Sequence, residues 1–189
     1  EVVELGNQLT RTEDGNRFIG FDPTYPTRMA SGLSLDYVDV ENKKALIDTP
    51  EMRRIFQVFQ QVYTYPGYVS DEGRYAYDTG AFLNDQNIAM LPVWILQVRN
   101  FNEHLSQMNW DMVTIPNFEE HLGRGREVDF PLMALSVTSQ YPDAAMEVLN
   151  VVTSDEVQRI MSEYGTPSIL KNEEIKSVYG SKFPLFDGK

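Results

Sequence analysis

Cysteine is absent from this chain of 189 residues. That excludes a disulfide framework and any thiolate metal site. Histidine occurs only as His104 and His121, which lack the i, i+4 spacing of a zinc-binding helix. Cations are scarce: 16 Lys and Arg face 28 Asp and Glu, a formal charge of −12, with a pI near 4.5. Phosphate backbones and anionic lipid require clustered Lys and Arg, so nucleic acid is excluded as a partner. Long hydrophobic runs are missing too. The longest, Ile88 to Leu96, is nine residues and contains Pro92, against the ~20 residues that cross a bilayer. Gly123-x-Gly125 lacks the third glycine of a dinucleotide fingerprint, with Val128 in its place and no strand ahead of it. Gly32-Leu33-Ser34-Leu35 starts like a nucleophile elbow, but Asp36 replaces the closing glycine. Neither a metal nor an organic cofactor is expected. There is no internal repeat and no low-complexity segment.

What is present is a globular composition, 42% hydrophobic and 12% aromatic, well above the hydrophobicity of disordered chains. Val2, Val3, Leu5 and Leu9 predict a helix ending near Thr10. Glu13-Asp14-Gly15-Asn16 is turn chemistry, and Arg17 to Phe21 reads as a strand. The prolines of Asp22-Pro23-Thr24-Tyr25-Pro26 force a loop, with a short helix at Arg28 to Gly32. The clearest helix spans Pro50 to Tyr63, with Thr49 as N-cap and Pro50 in the first turn. Met52, Ile55, Phe56, Phe59, Val62 and Tyr63 form its apolar stripe. Further helices are predicted over 75–83, 94–105 and 142–152, the last with Ala145, Met146, Val148, Leu149 and Val152 inward. Strands are predicted at 88–91, 110–115 and 132–137. Thr153-Ser154-Asp155-Glu156 reads as a capping box that starts another helix, closed by Gly165. Alternating strands and helices indicate an α/β chain.

Acidic pairs such as Asp36 and Asp39 have the side chains that glycoside hydrolysis uses. With 28 carboxylates in the chain, such neighbours arise without function. Both histidines read as surface residues. The aromatics are more informative. Tyr25 lies between prolines, Tyr65 and Tyr68 flank Pro66-Gly67, and Trp94 follows Pro92. Sugar rings pack their C–H faces on aromatic planes, while their hydroxyls need polar partners, so these loops point to carbohydrate.

The order of segments resembles the family 1 extracellular solute-binding proteins, the sugar-type receptors of bacterial ABC importers. Leu9-Thr10-Arg11, Glu13-Asp14-Gly15 and Phe18-Ile19-Gly20-Phe21 look like that family's helix, turn and strand entering the second lobe. Phe82, Ile88-Ala89-Met90 and Trp94 look like its Ala-Met strand and following tryptophan. Trp110 to Pro116, then Leu135 to Ser139 and Asp143 to Leu149, look like the strand through the hinge and the return to the first lobe. Thr153-Ser154-Asp155-Glu156-Val157-Gln158 and Gly165-Thr166-Pro167 match the continuation. The likeness covers nearly the whole chain. It departs at Asp85-Gln86-Asn87, at Val93 and at Pro131-Leu132-Met133, where the family usually carries glycine.

The resemblance implies a type II periplasmic-binding-protein-like α/β fold, mainly the C-terminal lobe with a returning piece of the N-terminal lobe. It places the second lobe at 1–115, the hinge with the returning first-lobe strand and helix at 116–152, and a helical return to the second lobe at 153–189. It implies capture of a carbohydrate, in particular an oligosaccharide, between the two lobes, for delivery to membrane permease subunits, without catalysis. The setting is extracytoplasmic, as a cell-surface lipoprotein or in the periplasm. Trp94 corresponds to the family's sugar-stacking tryptophan, with Tyr25 and Arg28 as further ligand contacts. The chain reads as a fragment, so the 132–137 segment and the 142–152 helix are expected to lack cover and to drive self-association. A carbohydrate-active hydrolase and a surface interaction domain are the alternatives.

Overall fold

A computed structural model describes residues 1–69, 79–123, 125 and 132–188. The chain is mixed, with many short helices and little sheet. Two compact units divide it: Glu1–Val93 with Val113–Val128, and Trp94–Met112 with Asp129–Lys189. These divisions fall at other places than the lobe boundaries expected after residues 115 and 152.

In the first unit, α1 (Val2–Leu9) ends at Thr10, whose extended backbone leads into a hairpin of β1 (Arg11–Glu13) and β2 (Asn16–Phe18). Asp14 and Gly15 both have positive φ, 51° and 80°, the two-residue Asp-Gly turn that matches strand twist. The regular strand ends at Phe18, earlier than the expected Phe21, but the chain continues extended beside 87–90. Ile19 bridges Ile88 in parallel. Its N–H donates to Asn87 O at 2.8 Å, Ala89 N–H donates to Ile19 O at 2.8 Å, and Asp22 N–H donates to Met90 O at 3.1 Å. The expected strand at 88–91 is therefore a bridged edge and not a full strand.

After α2 (Pro26–Gly32) and a small hairpin of β3 (Val38–Asp39) and β4 (Lys44–Ala45), α3 runs from Pro50 to Tyr63 as predicted. Thr49 Oγ1 accepts from Met52 N–H at 3.2 Å. Met52, Ile55, Phe59 and Val62 are buried, each worth about 1.5–3 kcal/mol as an upper estimate. Phe56 and Tyr63 lie at the edges of the stripe and remain 48% and 40% exposed. The helix ties together two core clusters, Val62 packing with Ile19, Phe21, Tyr65 and Tyr68, the others with Ala30 and Leu33. Of the helix predicted over 75–83, α4 (Thr79–Leu83) is seen; Tyr75 to Asp78 lie outside the described residues, as do Arg124 and Arg126 of the glycine-containing loop.

The second unit is helical. The helix expected over 94–105 is two pieces, α5 (Ile95–Asn100) and α6 (Asn102–Leu105), because Phe101 leaves the helical region at φ −94°, ψ 8°. α7 (Pro142–Val152) has the predicted bounds, yet none of its residues is buried. Its expected inward residues Met146 and Val148 are 52% and 61% exposed. α8 (Asp155–Glu163) starts one residue later than expected: Ser154, not Thr153, is the N-cap and accepts from Val157 N–H. Thr153 turns back instead, its hydroxyl donating to Leu149 O at 2.9 Å to close α7. Glu156 consequently sits at the second helical position and no capping box forms. Gly165, at φ +81°, ends α8. α9 (Glu173–Ser177) docks on α8 through Ser162 Oγ, which donates to Ile175 O at 2.8 Å. The segments 110–115 and 132–136 are irregular and 137 lies in a turn. An apolar stretch becomes a strand only when a neighbouring backbone accepts its hydrogen bonds, and no ladder forms there among the described residues.

Candidate functional site

The first unit contains a cleft of about 280 Å³, near the lower end of the ~300–1,000 Å³ range of small-molecule sites. Val2, Val3, Phe21, Met29, Val58 and Phe118 supply apolar wall. Glu1, Arg28, Gln61 and Asn117 supply the polar groups.

The loop before α2 shapes one side. Asp22 is buried, and its Oδ1 accepts from Thr24 N–H at 2.7 Å. That bond accompanies a left-handed Thr24, φ +65°, a conformation costing about 1–3 kcal/mol in a residue with a branched Cβ. Thr24 Oγ1 is thereby placed 3.3 Å from Arg28 Nη1, which also donates to Pro92 O at 3.4 Å. The guanidinium carbon lies 5.3 Å from the Tyr25 ring centre, within cation–π range.

The opposite support is equally specific. Asn117 Oδ1 accepts from Phe118 N–H at 2.9 Å, while its Nδ2 donates to His121 O at 3.0 Å. Arg54 lies 4.1 Å over the Phe118 ring and pairs with Glu120. The Glu120 carboxyl is held below its usual range, first by a backbone N–H and then by Arg54. α1 forms another wall and is anchored by the Tyr65 hydroxyl, which donates to Val3 O. Burial pushes that hydroxyl up to about 12.

The expected ligand contacts are only partly brought together. Arg28 lines the cleft; Tyr25, 59% exposed, holds Arg28 but is not itself in the lining. Trp94 belongs to the second unit, lies outside that lining, and is 40% exposed. Its backbone N–H donates to Gln97 Oε1 at 3.2 Å at the start of α5. Gln61 and Asn117 were not singled out from sequence. Gln61 stands on the polar side of an amphipathic helix, and Asn117 follows a proline in an irregular segment, positions without a distinguishing pattern. His104 is exposed as expected, whereas His121 is half-buried, with Nδ1 shielded and lacking a hydrogen-bond partner.

At Asp85-Gln86-Asn87, where the resembled family carries glycine, Gln86 adopts a left-handed backbone, φ +50°. Among the described residues no group of three or more His, Asp or Glu is placed to hold a metal, and no helix is long and apolar enough to cross a membrane. Comparison with protein-family models, curated proteins and solved structures finds no match to this chain.

Proposed function

We propose that this chain binds a carbohydrate as the extracytoplasmic receptor of a bacterial ABC importer, with a type II binding-protein fold and without making or breaking a covalent bond. The observation that carries the reading is the cleft itself. An apolar wall including Phe21 and Phe118 can take the C–H face of a sugar ring, and Arg28, Gln61 and Asn117 can take its hydroxyls. The order of segments along the chain supports the same family. Permease subunits are the partners that follow from it, with the protein in the periplasm or tethered as a surface lipoprotein.

Titration calorimetry against a panel of mono- and oligosaccharides tests the reading. At least one sugar should bind with micromolar affinity or better, and Gln61→Ala with Asn117→Ala should weaken it more than tenfold. Trp94 is tested separately. Trp94 is 40% exposed and outside the cleft lining, so Trp94→Ala should leave the melting temperature nearly unchanged, and it lowers the affinity only if this tryptophan stacks on the sugar as the resemblance implies. Undiminished affinity in that variant removes Trp94 from the site. Hydrolysis of an oligosaccharide by the purified chain would favour a glycosidase instead, a reaction needing two suitably spaced carboxyls.

A further inference from the structure

We infer that the solute held in the cleft is a glycoside with an apolar aglycone, a sugar ring joined to an aryl group, and not a free sugar hydroxylated on every side. This rests on the reading of the cleft as a sugar site and narrows it.

The lining is too apolar for a free sugar. Among the described residues, Glu1, Arg28, Gln61 and Asn117 are its polar members, and every other residue of the lining is Val, Ile, Met, Phe, Pro or Gly. The C–H face of a sugar can pack on Phe118, but the hydroxyls project from the rim of the ring. Turned toward Met29, Val58 or Ile115, a hydroxyl gives up its bonds to water and gains none in return. An aryl group on that side gains by leaving water.

The polar groups are also partly engaged within the protein. Asn117 accepts from Phe118 N–H through Oδ1 at 2.9 Å and donates to His121 O through Nδ2 at 3.0 Å. Arg28 donates to Thr24 Oγ1 and Pro92 O at 3.3 and 3.4 Å. Each side chain has a fixed set of donors and lone pairs, so every such bond lowers the number of solute hydroxyls that can be satisfied. Gln61 stands one turn after Val58 on α3, and both line the cleft. Side chains three apart on a helix are neighbours, so a hydroxyl at the Gln61 amide has apolar wall beside it. The volume agrees. About 280 Å³, near the lower end of small-molecule sites, suits one sugar ring with one substituent better than a chain of sugars.

The test uses the full chain in titration calorimetry with matched methyl and phenyl glycosides of glucose, galactose, mannose and xylose, and phenol as the aglycone alone. At least one phenyl glycoside should bind about tenfold more tightly than its methyl counterpart, or better, since a single methylene in an apolar pocket is already worth roughly that factor. Val58→Thr, which puts a hydroxyl into the apolar wall with little change of shape, should shrink that preference. Gln61→Ala should weaken methyl and phenyl forms alike. Methyl and phenyl forms binding equally overturns this inference and leaves the sugar reading standing. Phenol binding as tightly as the best phenyl glycoside overturns the sugar reading and this inference with it. Failure of every phenyl glycoside to bind overturns the inference, and the wider sugar panel then decides the sugar reading by itself. The methyl–phenyl comparison uses unaltered protein, so it decides the matter even if a variant does not fold.

Discussion

A Cβ placed on Gly20 would lie 2.0 Å from the carbonyl oxygen of Gly6. Helix α1 and the extended chain after β2 therefore touch backbone to backbone, and Thr10 clamps the contact. Its hydroxyl donates to Gly6 O at 2.7 Å and accepts from Gly20 N–H at 3.0 Å. α1 supplies Val2 and Val3 to the cleft wall, so the same helix that touches Gly20 also lines the site.

Gly20→Ala should cost about 3 kcal/mol or more in denaturant unfolding, the upper end of overpacking penalties, because backbone cannot swing aside as a side chain can. Gly15→Ala is the contrast. Its Cβ meets nothing within 4 Å, and only the positive φ is penalised, at about 1–2 kcal/mol. Equal losses from the two substitutions would show that α1 does not sit against Gly20.

Tyr65 should make stability fall in alkali. Burial raises its hydroxyl from 10.0 to about 12 in the folded chain. Between those values the unfolded chain releases the proton while the folded chain keeps it, so rising pH favours unfolding. The contribution is whole below about pH 10 and gone above about pH 12, on the order of 2 kcal/mol. Tyr179, also raised by burial, acts in the same direction. Urea titrations of Tyr65→Phe should show a shallower decline across that window, together with a small loss at neutral pH from the missing bond to Val3 O.

The start of α8 distinguishes two adjacent hydroxyls. Ser154→Ala should cost about 1 kcal/mol, the usual value of an N-cap. Thr153→Ala should cost less, since its hydroxyl bonds only to carbonyls of the preceding helix. Glu156→Gln should change little, in the absence of a capping box. Thermal unfolding of the three variants orders them; a loss in Thr153→Ala exceeding that in Ser154→Ala would relocate the cap.

The uncovered face of the second unit should associate with a second copy of the chain. Leu132 is 88% exposed, and Val148 and Val151 of α7 are 61% and 60% exposed. Asp143 and Glu147 are the only charges on that helix. An eleven-residue helix is marginal in water without a packed face, so contact between exposed faces is favoured. Light scattering across a concentration series should show mass rising above 21.7 kDa. Val148→Lys with Met146→Glu should suppress the rise, and a constant monomer mass in the unaltered chain would count against the contact.

The local signals that proved legible are those whose cause is local. Thr49-Pro50 and the stripe from Met52 to Val62 define α3 because capping, proline geometry and a 3.6-residue period all act within one segment. The bounds of α7 and the glycine ending α8 are legible for the same reason. The segments 110–115 and 132–137 show the opposite case, since a strand depends on hydrogen-bond partners that its own sequence does not specify. Tyr25 and Arg28 drew attention on the loop after the first strand, and of the two Arg28 lines the cleft. Gln61 and Asn117 became visible only with the fold, because an amide on a polar helix face looks the same whether it faces solvent or a cleft.

By itself, then, the sequence determined the absences that bound the chemistry: no thiol, little histidine, few cations, and no membrane-length apolar run. It also determined the bounds of α3 and α7, which are built from contacts a few residues apart. The tertiary structure decided which residues meet across long separations. It set Gly6 against Gly20, held the α1 wall through Tyr65, brought Pro92 to Arg28, and placed Phe118 beneath Arg54. Those pairings depend on close packing and on the satisfaction of buried polar groups, and both are properties of the folded chain as a whole.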